Sequence, residues 1–103
     1  MLTRSILVTG VSWTALNETA KDQAQNLLTN TYVEALRVLA PGSGAYVNEA
    51  DPYEPNFQQV FWGDSYPRLL DIKRLVDPGD VFWCTPCVGN ERWEEVGNLL
   101  CRV

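Results

Sequence analysis

Histidine is absent from the 103-residue chain. Its absence removes the usual general base near neutral pH and the commonest metal ligand together, and it excludes a Ser-His-Asp triad. Basic residues are few: eight Lys and Arg stand against thirteen Asp and Glu, a formal net charge of −5. No basic cluster is present to neutralise phosphates, the nearest being Lys73-Arg74, so nucleic acid is not an expected partner. No stretch approaches the ~20 apolar residues of a membrane span, so no membrane partner is expected either. Near the amino terminus Arg4 precedes an apolar patch, Ile6-Leu-Val8, but Thr9, Gly10, Ser12 and Trp13 interrupt it too early for a clear secretory leader. A phosphate-cradling loop is also missing, because Gly42-Ser-Gly44 follows a predicted helix instead of opening one.

Cysteine is scarce but patterned. Cys84-Thr-Pro-Cys87 has the spacing of a redox motif or half a zinc site, and Cys101 is the third thiol. Three thiols without histidine do not close a four-ligand zinc site in one chain unless a carboxylate or a second chain helps, so no metal is expected. A thioredoxin-like role needs the pair to open a helix after a strand, and no βαβ unit surrounds it. The expectation is a structural disulfide joining Cys101 to Cys84 or Cys87, in a protein of an oxidising compartment of the secretory pathway or outside the cell. Asn17-Glu-Thr19, an N-glycosylation acceptor triplet, is compatible with that compartment.

Against these gaps, 46% of the residues are hydrophobic, with four Trp, four Tyr and three Phe. That argues against disorder, and so many aromatics in a short chain suggest surfaces meant to meet something. The length allows at most one small domain, residues 1–103, and no internal boundary or repeat is visible. The fold class reads as α+β. Ile6, Val8, Val11 and Trp13 predict a strand over about Arg4–Trp13. Ala20, Ala24, Leu27, Leu28, Ala35, Val38 and Leu39 then predict a long helix from Asn17 to about Leu39, capped by Asn17 or Thr14 and stopped by Pro41-Gly42. Two shorter helices follow, Asn56–Trp62 and Asp64–Val76, the second with Pro67 in its first turn. Asp77-Pro-Gly-Asp80 makes a turn into a short strand, Val81–Cys84, and the tail from Glu91 lies along a surface.

The most unusual polar chemistry lies between Gly42 and Gly63. Ala45, Val47 and Ala50 predict a short strand, which would send Tyr46 and Asn48 to one face and Glu49 to the other. Pro52 and Pro55 bracket the turn that follows, with Asp51 as a turn or cap residue. Asn48, Glu49 and Asp51 therefore sit where a strand breaks into a loop, a position that often carries ligand chemistry.

Tyr46-Val-Asn-Glu-Ala-Asp51, Phe61-Trp-Gly-Asp-Ser-Tyr-Pro-Arg-Leu-Leu70, Ile72-Lys73, Asp77-Pro78 and Val81-Phe-Trp83 together resemble the carboxy-terminal segment of berberine-bridge-enzyme-like flavoproteins, FAD-linked oxidases of the vanillyl-alcohol-oxidase superfamily, and fungal members above all. The resemblance covers roughly Ala45 to Val88 and, more loosely, the whole chain. It implies a partial domain that completes the substrate and FAD domains of a larger protein, with a missing FAD-binding domain or chain as partner. It also implies a small-molecule alcohol or related substrate, oxidised by hydride transfer to flavin. Asn48 matches an asparagine beside the flavin and Tyr46 the aromatic before it, so both are implied contacts of FAD. Glu49 falls where sugar-oxidising relatives place a tyrosine implicated as catalytic base, which makes it the candidate base. On this reading the chain alone holds no FAD and is inactive. The alternative is a non-catalytic binding or structural module derived from the same segment.

Overall fold

The computed structural model describes residues 5–103. Arg4, the first residue of the expected amino-terminal strand, and the start of the leader-like patch lie outside the described residues. Contacts divide the chain into two compact units, Met1–Ser43 and Gly44–Val103. Each has its own architecture.

The first unit is built on the long helix. It begins as α1 (Glu18–Leu27), passes through a wide π turn at Leu28–Val33 and continues as α2 (Glu34–Leu39). Leu27, Leu28, Val33 and Glu34 all keep right-handed helical dihedrals, so the backbone stays helical across both junctions. Asn17 caps the start: its Oδ1 accepts the Ala20 N–H at 2.9 Å, which satisfies one of the helix's unpaired amides. At the other end Ala40 leaves helical geometry and Gly42 takes φ +77°, a turn that glycine adopts without strain. The expected strand before this helix is not formed. Residues 5–14 are neither helix nor strand, and Ile6 is 87% exposed. β-branched residues favour an extended backbone, but a strand exists only where a neighbour takes up its amides and carbonyls.

The second unit packs around Phe57 and Tyr66, whose rings meet edge to face at 5.9 Å. A wide helical turn at Gln58–Trp62 and a 3₁₀ turn at Gly63–Ser65 lead into α3 (Tyr66–Val76), with Pro67 in its first turn as expected. The expected strand at Val81–Cys84 is instead a turn, held by a side chain below it. The tail, expected to lie along a surface, is mostly exposed and has regular structure. It forms a hairpin of β1 (Trp93–Val96) and β2 (Leu99–Arg102), antiparallel, pairing Trp93 with Arg102 and Glu94 with Cys101. Gly97 opens the two-residue turn at φ +63°, the conformation demanded of the first residue in such a hairpin. Arg102 lies over the Trp93 ring at 5.7 Å, a cross-strand cation–π pair. The fold is therefore α+β, with its sheet in the hairpin and not in the segments expected to supply it.

The disulfide also differs from expectation. Cys84 is bonded to Cys87, and Cys101 is a free thiol. A turn closed by the Cys87 N–H on the Cys84 carbonyl at 2.8 Å brings the two Cα atoms to 5.2 Å, inside the range a disulfide spans. Cys101 is fixed in β2, opposite Glu94.

Candidate functional site

The Tyr46–Asp51 segment is not a strand. Tyr46 is extended, Val47–Glu49 form a single 3₁₀ turn, and the Glu49 N–H closes it on the Tyr46 carbonyl at 2.9 Å. One backbone bond, Ala45 N–H to Val60 carbonyl at 3.0 Å, ties its start to the Gln58–Trp62 turn. Gly44 permits that approach, since a Cβ there would stand 3.0 Å from the Val60 oxygen. At three residues per turn, successive side chains point about 120° apart, so strict opposition of Asn48 and Glu49 does not apply.

Within this turn the structure brings Tyr46 and Asn48 together: the Asn48 amide donates to the Tyr46 hydroxyl at 2.7 Å. Both are exposed, Tyr46 to 62%, and Glu49 beside them is exposed as well. Asp51 acts as a turn residue, its Oδ1 accepting the Tyr53 N–H at 2.9 Å. A phenol and an amide locked to each other offer polar contacts to the edge of a flat ring. Neither supplies the cluster of donors that a dinucleotide's phosphates need. These residues fit a contribution to a flavin site, not the whole of one. At Asn17, the acceptor residue of the glycosylation triplet, Oδ1 is engaged as the helix cap, while Nδ2 is the atom that modification would take.

A second polar cluster, unread in the sequence, lies beneath α3. The Tyr66 hydroxyl donates to the Glu91 carboxylate, at 2.6 and 2.7 Å from its two oxygens, and accepts the Gly89 N–H at 3.1 Å. Burial first, then the bond to Glu91, pushes the Tyr66 phenol up to about 12. Asp77, buried at the end of α3, accepts from Lys73 and from the Val81 and Phe82 N–H groups at 2.9 and 3.0 Å. The Lys73 bond, against an opposing push from burial, holds the Asp77 carboxyl below its usual value, and the two backbone donors reinforce it. Asp80, with φ +55°, accepts from Arg92 and from the Trp93 indole at 2.8 Å, joining the turn to β1. The best-buried side chains of this unit are thus mostly polar and paired, which fixes geometry more than it adds hydrophobic stability. Only Lys73 to Asp77, four apart on one helical face, carried a local signal.

Comparison with known proteins places this geometry. Residues 45–89, the stretch from the Tyr46–Asn48 turn through the Asp77 and Cys84–Cys87 turns, match the family described as berberine and berberine like. FAD-linked oxidoreductase sor8 of Hypocrea jecorina is 46% identical over 96 residues, 91% of this chain and 17% of that protein. FAD-linked oxidoreductase ffsJ of Aspergillus flavipes is 44% identical over 90 residues, 84% of this chain and 14% of that protein. Among solved structures, a VAO-type flavoprotein from Myceliophthora thermophila C1 superposes with a TM-score of 0.79 at 36% identity, over 84% of this chain and 15% of that one. The chain thus spans about a sixth of the length of the relatives it matches. Through residues 45–89 it belongs to the berberine and berberine-like family, and its fold is that of a segment of a VAO-type flavoprotein.

Proposed function

We propose that this chain is the part of an FAD-linked oxidoreductase that sets Tyr46 and Asn48 at the flavin edge, in an enzyme oxidising an alcohol or related small molecule. The observation that carries the reading is the exposed, mutually bonded Tyr46–Asn48 pair at the start of the family-matched stretch. Flavin, when bound, supplies the hydride acceptor; this chain's part is to orient and to move a proton. The Asn48 amide, fixed by the Tyr46 hydroxyl, presents a directed polar group. Glu49, one residue on and exposed, is the candidate acceptor of the substrate hydroxyl proton. The phosphates would be held by the part of the protein that longer relatives carry and this chain does not, so the isolated chain is expected to be inactive. Residence in an oxidising compartment belongs to the same proposal, supported by the Cys84–Cys87 disulfide.

The test uses a chimera in which this chain replaces the matching segment of the Hypocrea jecorina relative. Replacing Glu49 by Gln keeps size and removes basicity. Flavin reduction by an alcohol in single turnover is then expected to fall by roughly 10²–10⁴ with flavin content unchanged. A rate within about threefold of the unsubstituted chimera would rule out the base role, and equal loss of flavin and rate would make Glu49 structural.

A further inference from the structure

The end of α3 displays apolar side chains where a free-standing domain would hide them. Leu75 is 82% exposed, Val76 72%, Val81 80% and Phe82 80%. The last three flank one buried carboxylate. Asp77 follows Val76 directly and binds the amides of Val81 and Phe82, while Lys73 pairs with Asp77 and donates to the Phe82 carbonyl at 2.9 Å. Both charged partners are themselves well covered, with side chains 15% and 9% exposed. The Asp77 carboxylate, the Asp80, Val81 and Phe82 amides and the Phe82 carbonyl are therefore paired within the turn, which fixes the backbone that carries the exposed Val81 and Phe82 side chains. Exposed apolar groups on a floppy loop would carry no such meaning. Here ordering has been completed before anything docks, which is how a binding surface lowers the entropy cost of association.

We infer that Leu75, Val76, Val81 and Phe82 form a preorganised docking knob for the remainder of the flavoprotein, the larger part that the relatives carry and this chain lacks. The inference rests on the proposed function. Its size argues for that occupant. Four such side chains present on the order of 500 Å², the upper range of the largest patch on an ordinary monomer. A stable complex between separate molecules buries about 800 Å² on each side, so a second copy docking here alone falls short. A surface joined covalently to its partner needs far less, because tethering raises the effective concentration to millimolar or above. The relatives supply such a tether: the matched segment is 17% of one chain and 15% of another.

The test places Val81→Asp with Phe82→Asp in the Hypocrea jecorina chimera and, as a control, in the isolated chain. In the chimera the double variant is expected to lower the melting temperature by about 5 °C or more and to release flavin on dilution. In the isolated chain the same changes are expected to leave helix content by circular dichroism unaltered, because both side chains face water. A chimera melting within about 1 °C of the unsubstituted one would overturn the inference. Equal unfolding of the isolated chain would also overturn it, by making the two residues part of the unit's own core. So would a concentration-dependent dimer of the isolated chain, seen by sedimentation and abolished by the variant, since the occupant would then be a second copy. Failure of the reading beneath is distinguishable: the unsubstituted chimera would already purify colourless.

Discussion

Tyr66 joins α3, the Gly89 turn and Glu91 through one oxygen, and its chemistry is open to direct measurement. Because its folded pKa is raised, from the ordinary phenol value of 10 to about 12, the neutral phenol is the form the fold prefers. The stability it contributes is complete below pH 10 and is lost as pH rises from there through 12. A difference ultraviolet titration between the wild-type chain and Tyr66→Phe is expected to show one phenol ionising near 12; a midpoint at 10 would mean that the phenol is neither buried nor bonded to Glu91 in solution. Removing the hydroxyl also leaves the buried Gly89 amide without its acceptor, at a cost of about 1–3 kcal/mol in denaturant unfolding. None of this was legible in the sequence. Tyr66 reads there as an aromatic at a helix start, and its partners lie 23 and 25 residues away. Asn17 and Pro67 were legible because capping and first-turn proline are local effects, settled within three or four residues.

Among the elements, helices were foreseen and strands were not, for a physical reason. A helix closes its hydrogen bonds within itself, so the spacing of Ala20, Ala24, Leu27, Leu28, Ala35 and Leu39 suffices to place it, although not to reveal the wide turn at Leu28–Val33. A strand needs a partner that its own residues do not name. Residues 5–13 have the composition of a strand without a ladder, Val81–Cys84 is a turn because Asp77 binds its amides, and Val47–Glu49 closes on Tyr46 instead. The hairpin does carry a local signal, since Gly97-Asn98 between Trp-Glu-Glu-Val96 and Leu-Leu-Cys-Arg102 is a two-residue turn sequence. The disulfide follows the same logic of locality. Closing the long loop to Cys101 is worth about 3 kcal/mol in the chain-entropy model and the four-residue loop about 2, yet the backbone turn brings Cys84 and Cys87 together. Non-reducing peptide mapping is expected to find Cys84 linked to Cys87, with an unchanged map in Cys101→Ser. A linked peptide containing Cys101 would contradict the fold of the hairpin.

For the molecule as a whole, the distribution of apolar groups is the informative quantity. Among the described residues no large side chain is completely buried in either unit, and the best-buried apolar side chains are Phe57 and Tyr66. Such a sequence, 46% hydrophobic, has apolar surface to spare and keeps its buried positions for paired polar groups. Exposed apolar surface on that scale is what a surface that meets a partner presents. Composition reports how much apolar surface exists, though not which residues present it. Flavin binding by this chain within the larger protein is read most simply from the visible spectrum, measured on this chain alone and on the chimera that carries it in place of the matching Hypocrea jecorina segment. A colourless isolated chain and a yellow chimera with flavin bound near one per molecule are expected. A yellow isolated chain would contradict the division of the flavin site between this chain and the rest of the protein, and a chimera that folds without flavin while the unaltered relative retains it would contradict the assignment of this chain to that site.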